Sequence, residues 1–280
     1  MLLIPFSGEL DLGRTLMGGQ SFRWRPQGAG FRGTASRRTA YVERRGQSLY
    51  VNGDGDAAFW RRYFALDEDY PAIQALLRAD RTLAACVDYA PGIRVLRQEF
   101  FEALVCFIIS ACNNIPRITG IVERMCTRLG EPLRDGYAFP TPERLAAASD
   151  EELAPLRAGF RAKYIREAAA RVAAGEVTEG RLRAESYEDA KRLLCTLPGV
   201  GGKVADCVLL FSLGFSEAFP RDVHILRAME RLFPQGLPSC TKGCEGIAQQ
   251  YIFEYAKSMG TGLCRPCGAE GAADTDALRV

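Results

Sequence analysis

The 280-residue sequence lacks any apolar run approaching the ~20 residues that a membrane-spanning helix needs. Its first residues, MLLIPFSGELDLG, lack the basic segment and the long apolar segment of a signal peptide, and their acidic residues argue against a transit peptide. We therefore expect no membrane partner and a cytoplasmic protein. The excess of one sign of charge over the other is also small, since the formal net charge is only +2. A nucleic-acid binder of this composition would need a local basic patch or backbone amides.

Cysteine pairs with the spacing of metal ligands are few, although the chain has ten cysteines. In the cytoplasm these are better interpreted as reduced thiols, core residues or ligands than as disulfides. One C-x-x-C motif joins Cys264 to Cys267, and Cys240 and Cys244 precede it. A predicted helix over residues 245–258, at ~1.5 Å per residue, would separate the pairs by about 20 Å. A connection that folds back would still allow zinc with sulfurs at ~2.3 Å, so zinc stays open and no metal site is predicted with certainty.

The remaining composition, 48% hydrophobic and 25% charged, is typical of a globular protein with one large or two ordinary domains. The pattern predicts an α+β protein, with a small antiparallel β-sheet domain over residues 1–68 and a larger all-helical domain over residues 69–280. Turn residues separate the strand-like runs of the first domain. The predicted strands are Ser21–Trp24, Gly30–Gly33, Thr39–Glu43 and Ser48–Val51.

A glycine-rich hairpin between two helical patterns, at about residues 187–214, organises the second domain. Pro198 cannot continue the first helix. Gly199 and Gly201 permit a tight turn and let the backbone come close to another molecule. Such a hairpin can present backbone amides to a phosphate at a helix N-terminus. The hairpin alone therefore predicts phosphate binding.

Lys203 and Asp222 add chemistry that phosphate binding does not need. A lysine amine at a helix N-terminus beside apolar side chains has its charged form disfavoured by the dipole and by desolvation. The neutral amine is a nucleophile that can form a Schiff base. Asp222, nineteen residues further on, lies at an N-cap position, where it would stay ionised and could stabilise a sugar cation. The alternative is an ordinary surface lysine and a plain helix cap beside a phosphate-binding hairpin.

The segment from the hairpin through Lys203 to the Pro-x-Asp-x-His sequence at Asp222 resembles the signature of the helix-hairpin-helix (HhH-GPD) base-excision DNA glycosylases. Two further segments, Gly18–Trp24 and Tyr63–Asp67, resemble the 8-oxoguanine DNA glycosylases, so the resemblance covers essentially the whole chain. It implies a TBP-like N-terminal sheet and an all-helical glycosylase domain. The spacing of the four-cysteine iron–sulfur loop of the endonuclease III branch is absent.

The resemblance implies a bifunctional enzyme of base excision repair. It would flip 8-oxoguanine out of duplex DNA, preferably opposite cytosine, and excise it by Schiff-base chemistry at Lys203, with Asp222 stabilising the transition state. The Schiff base permits β-elimination, and hence a lyase that cuts at abasic sites. The expected partner is double-stranded DNA containing oxidised guanine. The expected enzyme needs no cofactor, is a monomer and belongs to the bacterial cytoplasm or nucleoid.

Four residues would form the base pocket according to the resemblance. The carbonyl of Gly19 would accept a hydrogen bond from N7–H, which 8-oxoguanine has and guanine lacks; an unmade buried hydrogen bond costs ~1–3 kcal/mol. Gln249 would read the Watson–Crick edge, and Phe253, at i+4 on the same helical face, would stack on the base. Cys207 would cover the opposite side of the base. A solvated glutamine and core phenylalanine and cysteine residues are the alternatives.

Five residues would hold the opened duplex. Phe160, after a glycine, would insert as a wedge, unless it is a core phenylalanine. Arg117 and Arg161 carry donor forks suited to the acceptor edge of the orphaned cytosine. Asn113 and Asn114 would line the gap.

Three further expectations come from the resemblance alone. Relatives carry three consecutive asparagines where this chain begins with Cys112, which predicts a looser preference for the opposite base. His224, the single histidine, would donate to a DNA phosphate, or else it is a structural residue at a helix start. A structural cation could bind the hairpin carbonyls of Cys195, Leu197 and Val200.

Two alternative functions stay open at this level. The chain could be a helix-hairpin-helix glycosylase for another damaged base, against which Gly19, Gln249 and Phe253 argue. It could instead be a non-catalytic DNA-binding module. Lys203 and Asp222 argue against that alternative, because phosphates would repel an aspartate.

Overall fold

An antiparallel five-stranded sheet forms the N-terminal part of the computed structural model, which describes residues 1–259. Its strand order is β1-β5-β4-β3-β2. A short helix, α1 (Leu12–Met17), lies between the first two strands in sequence. No helix among residues 1–259 is long and apolar enough to cross a membrane. The strands are β1 (Leu2–Pro5), β2 (Trp24–Gln27), β3 (Gly30–Ala35), β4 (Arg38–Arg45) and β5 (Ser48–Gly53).

Three of the four predicted strands are confirmed, as β3, β4 and β5. Gly46 and Gln47 form the tight turn that joins β4 to β5, and Gly46 has the positive φ of +58° that such turns require. The predicted strand over Ser21–Trp24 is wrong, because β2 begins only at Trp24. Phe22 packs instead on Phe107 of the helical part, with ring centroids 6.3 Å apart. The aromatic side chain of Phe22 therefore serves to fill the interface between the sheet and the helical part, and it is not part of a strand.

Aromatic side chains of α2 (Ala57–Tyr63) close the core of the sheet. Trp60 is fully buried and meets Trp24 edge to face, with ring centroids 6.1 Å apart. The Trp24 indole N–H donates to the Tyr63 hydroxyl at 2.9 Å. The helices α3 (Tyr70–Leu77) and α4 (Arg81–Tyr89) follow.

A segment without helix or strand, over residues 91–99, leads back from α4 to the first part of the chain. Arg94 is completely buried there, and its guanidinium donates to the carbonyls of Ser7, Glu9 and Ala65. Leu96 packs into the core of the sheet. Packing is therefore continuous across the predicted boundary at residue 68.

The helical part is built around α5 (Phe100–Ser110), which is buried on every side from Phe100 to Ile109. A buried ion pair between Glu102 and Arg23 joins this helix to the N-terminal part at 3.3 Å. The predicted fold class, an antiparallel sheet followed by a helical domain, is confirmed. The other α-helices are α6 (Ile115–Leu129), α7 (Pro142–Ala146), α8 (Asp150–Leu153), α9 (Arg161–Ala173), α10 (Glu179–Ala184), α11 (Tyr187–Cys195), α12 (Gly202–Val208), α13 (Val223–Leu232) and α14 (Glu245–Ser258). A π-helical turn, Leu209–Leu213, continues α12, and two short 3-10 helices lie at Ala154–Leu156 and Ser239–Thr241.

Helix starts follow the capping signals of the sequence. Thr141, Ser149 and Ser186 each accept a hydrogen bond from a backbone amide of the helix that follows. At Ser149 the reciprocal bond from the backbone to Glu152 completes a capping box. These local signals place the ends of α7, α8 and α11.

Candidate active site

The hairpin between α11 and α12 has the tight geometry that its sequence predicts. Gly199 lies at φ +78°, and the Val200 amide donates to the Leu197 carbonyl at 3.1 Å. Gly201 is the N-cap of α12, and no side chain among residues 1–259 caps this helix. A Cβ at Gly201 would meet no atom of the described part of the chain within 4 Å. The first amides of α12 are therefore left for a ligand that approaches the backbone closely.

A buried carboxylate clamps the two helices of the hairpin together. Asp206 of α12 is 4% exposed and accepts from the Tyr187 hydroxyl at 2.7 Å. Lys191 of α11 lies 2.8 Å from the same carboxylate. Burial alone would lower the pKa of Lys191, but its bonds to Asp206 and Tyr187 outweigh burial and raise it. The clamp fixes α12, and with it the backbone of Lys203.

A single pocket collects all six residues predicted for catalysis and base binding. They come from the glycine-rich turn after α1, from α12, from the start of α13 and from α14. Residues that lie more than two hundred positions apart in sequence therefore meet at one place. The pocket is lined by Gly18, Gly19, Gln20, Phe107, Lys203, Cys207, Phe211, Pro220, Asp222, Gln249, Gln250 and Phe253.

Lys203 projects its amine toward the end of α5. Its Nζ donates to the Ser110 hydroxyl at 3.1 Å, and that hydroxyl donates to the Phe107 carbonyl at 2.7 Å. The Phe107 ring centroid lies 5.7 Å from Nζ. Within residues 1–259, no carboxylate lies within 4.0 Å of this amine. Sequence reasoning missed Ser110, since nothing in its spacing links it to a lysine 93 residues away.

Asp222 caps α13, as its position in the sequence predicts. Its Oδ1 accepts from the amides of His224 at 3.0 Å and Ile225 at 2.8 Å. Two backbone donors at the helix N-terminus fix the orientation of the carboxylate. Asp222 is half-buried and borders the same pocket as Lys203, so a fixed negative charge faces the space beside the amine.

The pocket walls combine a buried amide, a thiol and a ring. Gln249 is 4% exposed; its Nε2 donates to the Pro220 carbonyl at 3.1 Å, and its Oε1 accepts from Gln250 at 2.6 Å. The solvated-glutamine alternative is therefore wrong, and Gln250 is a neighbour that sequence reasoning missed. Burial raises the pKa of the Cys207 thiol to about 11, despite the opposing effect of Lys203. Phe253 is half-buried at the edge of the pocket.

Gly19 brings the N-terminal part of the chain to the pocket. Its φ of +95° lies in the region that favours glycine. A Cβ at this position would lie 3.3 Å from Cδ1 of Ile115, the first residue of α6. Backbone, rather than a side chain, therefore borders the pocket here.

The loop between α5 and α6 carries the two predicted asparagines. Asn114 caps α6 by accepting from the Arg117 amide at 3.0 Å. Asn113 folds back, with its Nδ2 donating to the Ile109 carbonyl at 3.0 Å. Cys112 is exposed, and its φ of +47° is unusual for a residue other than glycine. Arg117 is exposed beside this loop.

Arg161 holds this loop from beneath rather than facing solvent. The residue is 3% exposed, and its guanidinium donates to the carbonyls of Ala111 and Cys112, the former at 2.9 Å from Nε. Burial lowers its pKa, and the charge of Arg117 lowers it further. The free donor fork that the sequence predicts is therefore not what the structure shows, because the donors are occupied by backbone carbonyls.

Phe160 stands at the start of α9 with 63% of its surface exposed, so the alternative of a core phenylalanine is wrong. The guanidinium of Arg161 lies 4.4 Å from its ring centroid. Tyr164, one turn further along α9, meets the same ring edge to face at 6.0 Å. An exposed aromatic ring that packs on Arg161 and Tyr164 has the form of a wedge.

His224 and the hairpin carbonyls complete the predicted set. His224 is half-buried against Phe253, with ring centroids 6.4 Å apart, and its Nδ1 has no hydrogen-bond partner among the described residues. The Leu197 carbonyl accepts from Val200, and a cation on the carbonyls of Cys195, Leu197 and Val200 stays a prediction.

The cysteines considered for zinc are only partly described. Cys244 Sγ lies 3.9 Å from the Cys240 carbonyl. Residues 1–259 contain no group of three or more histidine, cysteine or acidic side chains that could hold a metal. Cys264 and Cys267 lie outside the described residues.

Comparison with known proteins places this site in a family. Residues 3–104 match the model of the 8-oxoguanine DNA glycosylase N-terminal domain, and residues 105–237 match that of the HhH-GPD superfamily base excision DNA repair proteins. The N-glycosylase/DNA lyase OGG1 of Arabidopsis thaliana is 32% identical over 282 residues, covering 90% of this chain and 75% of the relative.

Solved structures agree over nearly the whole chain. MBOgg1, in complex with a low-affinity DNA ligand, is 35% identical with a TM-score of 0.86, covering 92% of this chain and 96% of that one. The 8-oxoguanine glycosylase/lyase of Clostridium acetobutylicum, bound to double-stranded DNA with cytosine opposite 8-oxoguanine, is 31% identical with a TM-score of 0.83, covering 92% and 98%. The chain therefore belongs to the 8-oxoguanine DNA glycosylase family, within the HhH-GPD superfamily of base excision repair proteins.

Proposed function

We propose that this protein excises 8-oxoguanine from duplex DNA, preferably opposite cytosine, and then nicks the strand as a lyase. The observation that carries the proposal is the meeting of Lys203, Asp222, Gly19, Gln249 and Phe253 in one pocket. The names of the plant relative and of the bacterial glycosylase/lyase bound to an 8-oxoguanine duplex support the same substrate.

Lys203 is the proposed nucleophile. Its amine, in the deprotonated form that a nucleophile requires, attacks C1′ of the flipped nucleotide; the base leaves with the electron pair of the glycosidic bond and takes a proton that the attacking nitrogen releases. Asp222 is oriented by its two backbone hydrogen bonds at the helix cap and stabilises the positive charge that develops on the sugar. The C1′–O4′ bond then breaks, O4′ takes a proton from solvent, and the nitrogen lone pair forms the C=N bond of a Schiff base on Nζ. Loss of a C2′ proton expels the 3′ phosphate, so the strand is cut by β-elimination without a cofactor.

Recognition of the base is assigned to uncharged groups. The Gly19 carbonyl would accept from N7–H of the lesion but would meet a lone pair on guanine. Gln249 retains one amide hydrogen and one lone pair beyond its bonds to Pro220 and Gln250, and these can face the Watson–Crick edge. Phe253 and the protonated thiol of Cys207 would enclose the base from its two faces.

Contacts to the DNA backbone and to the opened base pair are assigned to residues outside the pocket lining. The hairpin amides near Gly199 and Gly201 would bind a phosphate, and His224 would donate to another. Phe160 would fill the space left by the flipped base. The partner is double-stranded DNA, and we expect the protein to act as a monomer.

The loop beside the wedge would face the orphaned cytosine. Asn113, Asn114 and Arg117 would contact this base and the gap around it. Arg161 would position the loop by holding its carbonyls in place.

A gel assay on a duplex with one 8-oxoguanine opposite cytosine tests the proposal. Wild type and Lys203→Gln are compared with and without borohydride, and duplex binding is measured for both. We expect excision and a trapped covalent complex with wild type only. Binding by both proteins without excision or trapping by either would contradict the proposal for this lesion, and other damaged bases would then be assayed.

A further inference from the structure

We propose that Tyr164 is a positioning residue that couples the wedge Phe160 to the phosphate-binding hairpin. This inference rests on the proposed function, since it concerns the opening of the duplex that precedes excision. Nothing in the sequence singled out Tyr164, which lies in the first turns of α9. Its position between two DNA-contacting elements is visible only in the fold.

The hairpin packs directly against Tyr164. A Cβ built on Gly199 would lie 2.8 Å from the Tyr164 Cβ and 2.9 Å from its Cγ, closer than real contacts allow. Gly199 also has a φ of +78°, which itself favours glycine. The bare backbone at the apex of the hairpin therefore rests against the base of the tyrosine ring. A shift of the hairpin toward α9 would push on Tyr164.

The wedge rests on the other side of the same residue. Phe160 and Tyr164 are separated by one helical turn, and their rings pack edge to face at 75° with centroids 6.0 Å apart. Phe160 occupies the N-cap position of α9, which no side chain caps. Its exposed ring therefore depends on the rings and guanidinium beneath it for its orientation.

We assign the coupling between Phe160 and the hairpin to the aromatic ring of Tyr164 and not to its hydroxyl. Among residues 1–259 the hydroxyl makes no hydrogen bond, and the residue is half-buried. Phenylalanine should therefore replace tyrosine without loss. An aliphatic side chain would keep the burial but lose the flat surface that both Gly199 and Phe160 contact.

The coupling gives the hairpin a role in base flipping. When a phosphate is bound at the hairpin, the wedge is held at a fixed height over the adjacent base step. Binding energy from the undamaged backbone can then offset the cost of unstacking. The effect of Tyr164 should appear in duplex opening and not in the chemistry at Lys203.

The test measures single-turnover excision of 8-oxoguanine opposite cytosine by Tyr164→Leu and Tyr164→Phe. We expect Tyr164→Leu to lose about 3- to 10-fold, the range of an aromatic pair, and Tyr164→Phe to keep the wild-type rate. Borohydride trapping on a single-stranded abasic site, where no base is unstacked, should be equal in all variants. If wild type traps nothing on a duplex with 8-oxoguanine opposite cytosine, the proposed function fails, whatever Tyr164 does.

A double-mutant cycle decides whether Tyr164 acts through the wedge. In a Phe160→Ala background, Tyr164→Leu should cause no further loss of excision. An undiminished loss in that background would overturn the proposal, because Tyr164 would then act independently of Phe160. An equal loss in Tyr164→Phe would overturn it too, since the hydroxyl would then be the active group. Thermal unfolding checks each variant, and Tyr164→Met replaces Tyr164→Leu if the latter does not fold.

Discussion

The amine of Lys203 donates a hydrogen bond of 3.1 Å to the hydroxyl of Ser110, across 93 residues of sequence. The Ser110 hydroxyl proton is directed at the Phe107 carbonyl, so its oxygen is left to accept from Nζ. The bond joins α12 to the end of the central helix α5. It fixes where the nucleophile stands before a sugar arrives.

Ser110→Ala should slow the formation of the Schiff base. Without the acceptor the lysine side chain samples other rotamers, and a hydrogen bond of this kind is worth about 1 kcal/mol, so we expect roughly a 5- to 10-fold slower single-turnover excision. Duplex affinity should be unchanged, because Ser110 is not assigned to the DNA surface. An unchanged rate of excision would show that Ser110 does not position the amine.

Gly19→Ala should impair excision of 8-oxoguanine by about 10- to 100-fold, the value of one buried hydrogen bond. The new Cβ would lie 3.3 Å from Cδ1 of Ile115 in a backbone conformation of φ +95°, which is strained for alanine, so we expect the backbone to relax and displace the carbonyl. Gly136→Ala is the matched control, because Gly136 has a φ of +93° and open space around it. Equal losses of activity in the two variants would indicate that strain, and not the carbonyl, is responsible.

Glu102→Ala should destabilise the protein by about 3–5 kcal/mol, because it leaves Arg23 buried without its ionic partner. The two side chains are 8% and 10% exposed, and burial raises the pKa of Glu102 although Arg23 opposes this effect. Urea denaturation measures the change in the free energy of unfolding. Glu123→Ala is the control, since its pair with Arg25 is exposed and worth at most about 1 kcal/mol. Similar values for both would refute a special role for the buried pair.

Cysteine alkylation should distinguish the pocket from the DNA surface. The Cys207 thiol has a pKa of about 11 and is buried, so at pH 8 it stays protonated and should resist iodoacetamide. The exposed Cys112 should react, and a duplex bound at the proposed surface should protect it. Peptide mass spectrometry follows both sites. Alkylation of Cys112 at the same rate with and without bound duplex would exclude its loop from the DNA interface.

Cys112→Asn should sharpen the preference for cytosine opposite the lesion. Asparagine tolerates the φ of +47° better than cysteine does and offers an amide donor and acceptor where the thiol offers weak ones. We expect the ratio of excision opposite cytosine to excision opposite adenine to rise about 3- to 10-fold, in line with one added hydrogen bond. Equal ratios in variant and wild type would indicate that this loop position does not read the opposite base.

Local signals in the sequence were sufficient for the caps and the hairpin. Asp222, Ser186 and Gly199 act within a few residues of their own position, so their roles follow from neighbouring sequence. The strand β1 was missed because it is a short edge strand that ends in Pro5, with little pattern to detect.

Partners that depend on tertiary packing could not be predicted from the sequence. Ser110 bonds to Lys203, which is distant in sequence, and Gln250 bonds to its neighbour Gln249. Neither Ser110 nor Gln250 belongs to a recognisable sequence motif. The sequence around Arg161 is the same whether its guanidinium faces DNA or bonds to the carbonyls of the loop between α5 and α6, as it does here. Whether the Arg161 side chain is buried decides between these two roles, and its burial follows from the tertiary fold.

The most direct test of the account is to map the residue that carries the sugar. Wild-type protein is trapped with borohydride on an 8-oxoguanine duplex, digested with protease and nuclease, and analysed by mass spectrometry. We predict the reduced sugar adduct on the peptide that contains Lys203. An adduct on Lys191, on another lysine or on the N-terminal amine would contradict the assignment of the nucleophile and of the pocket built around it.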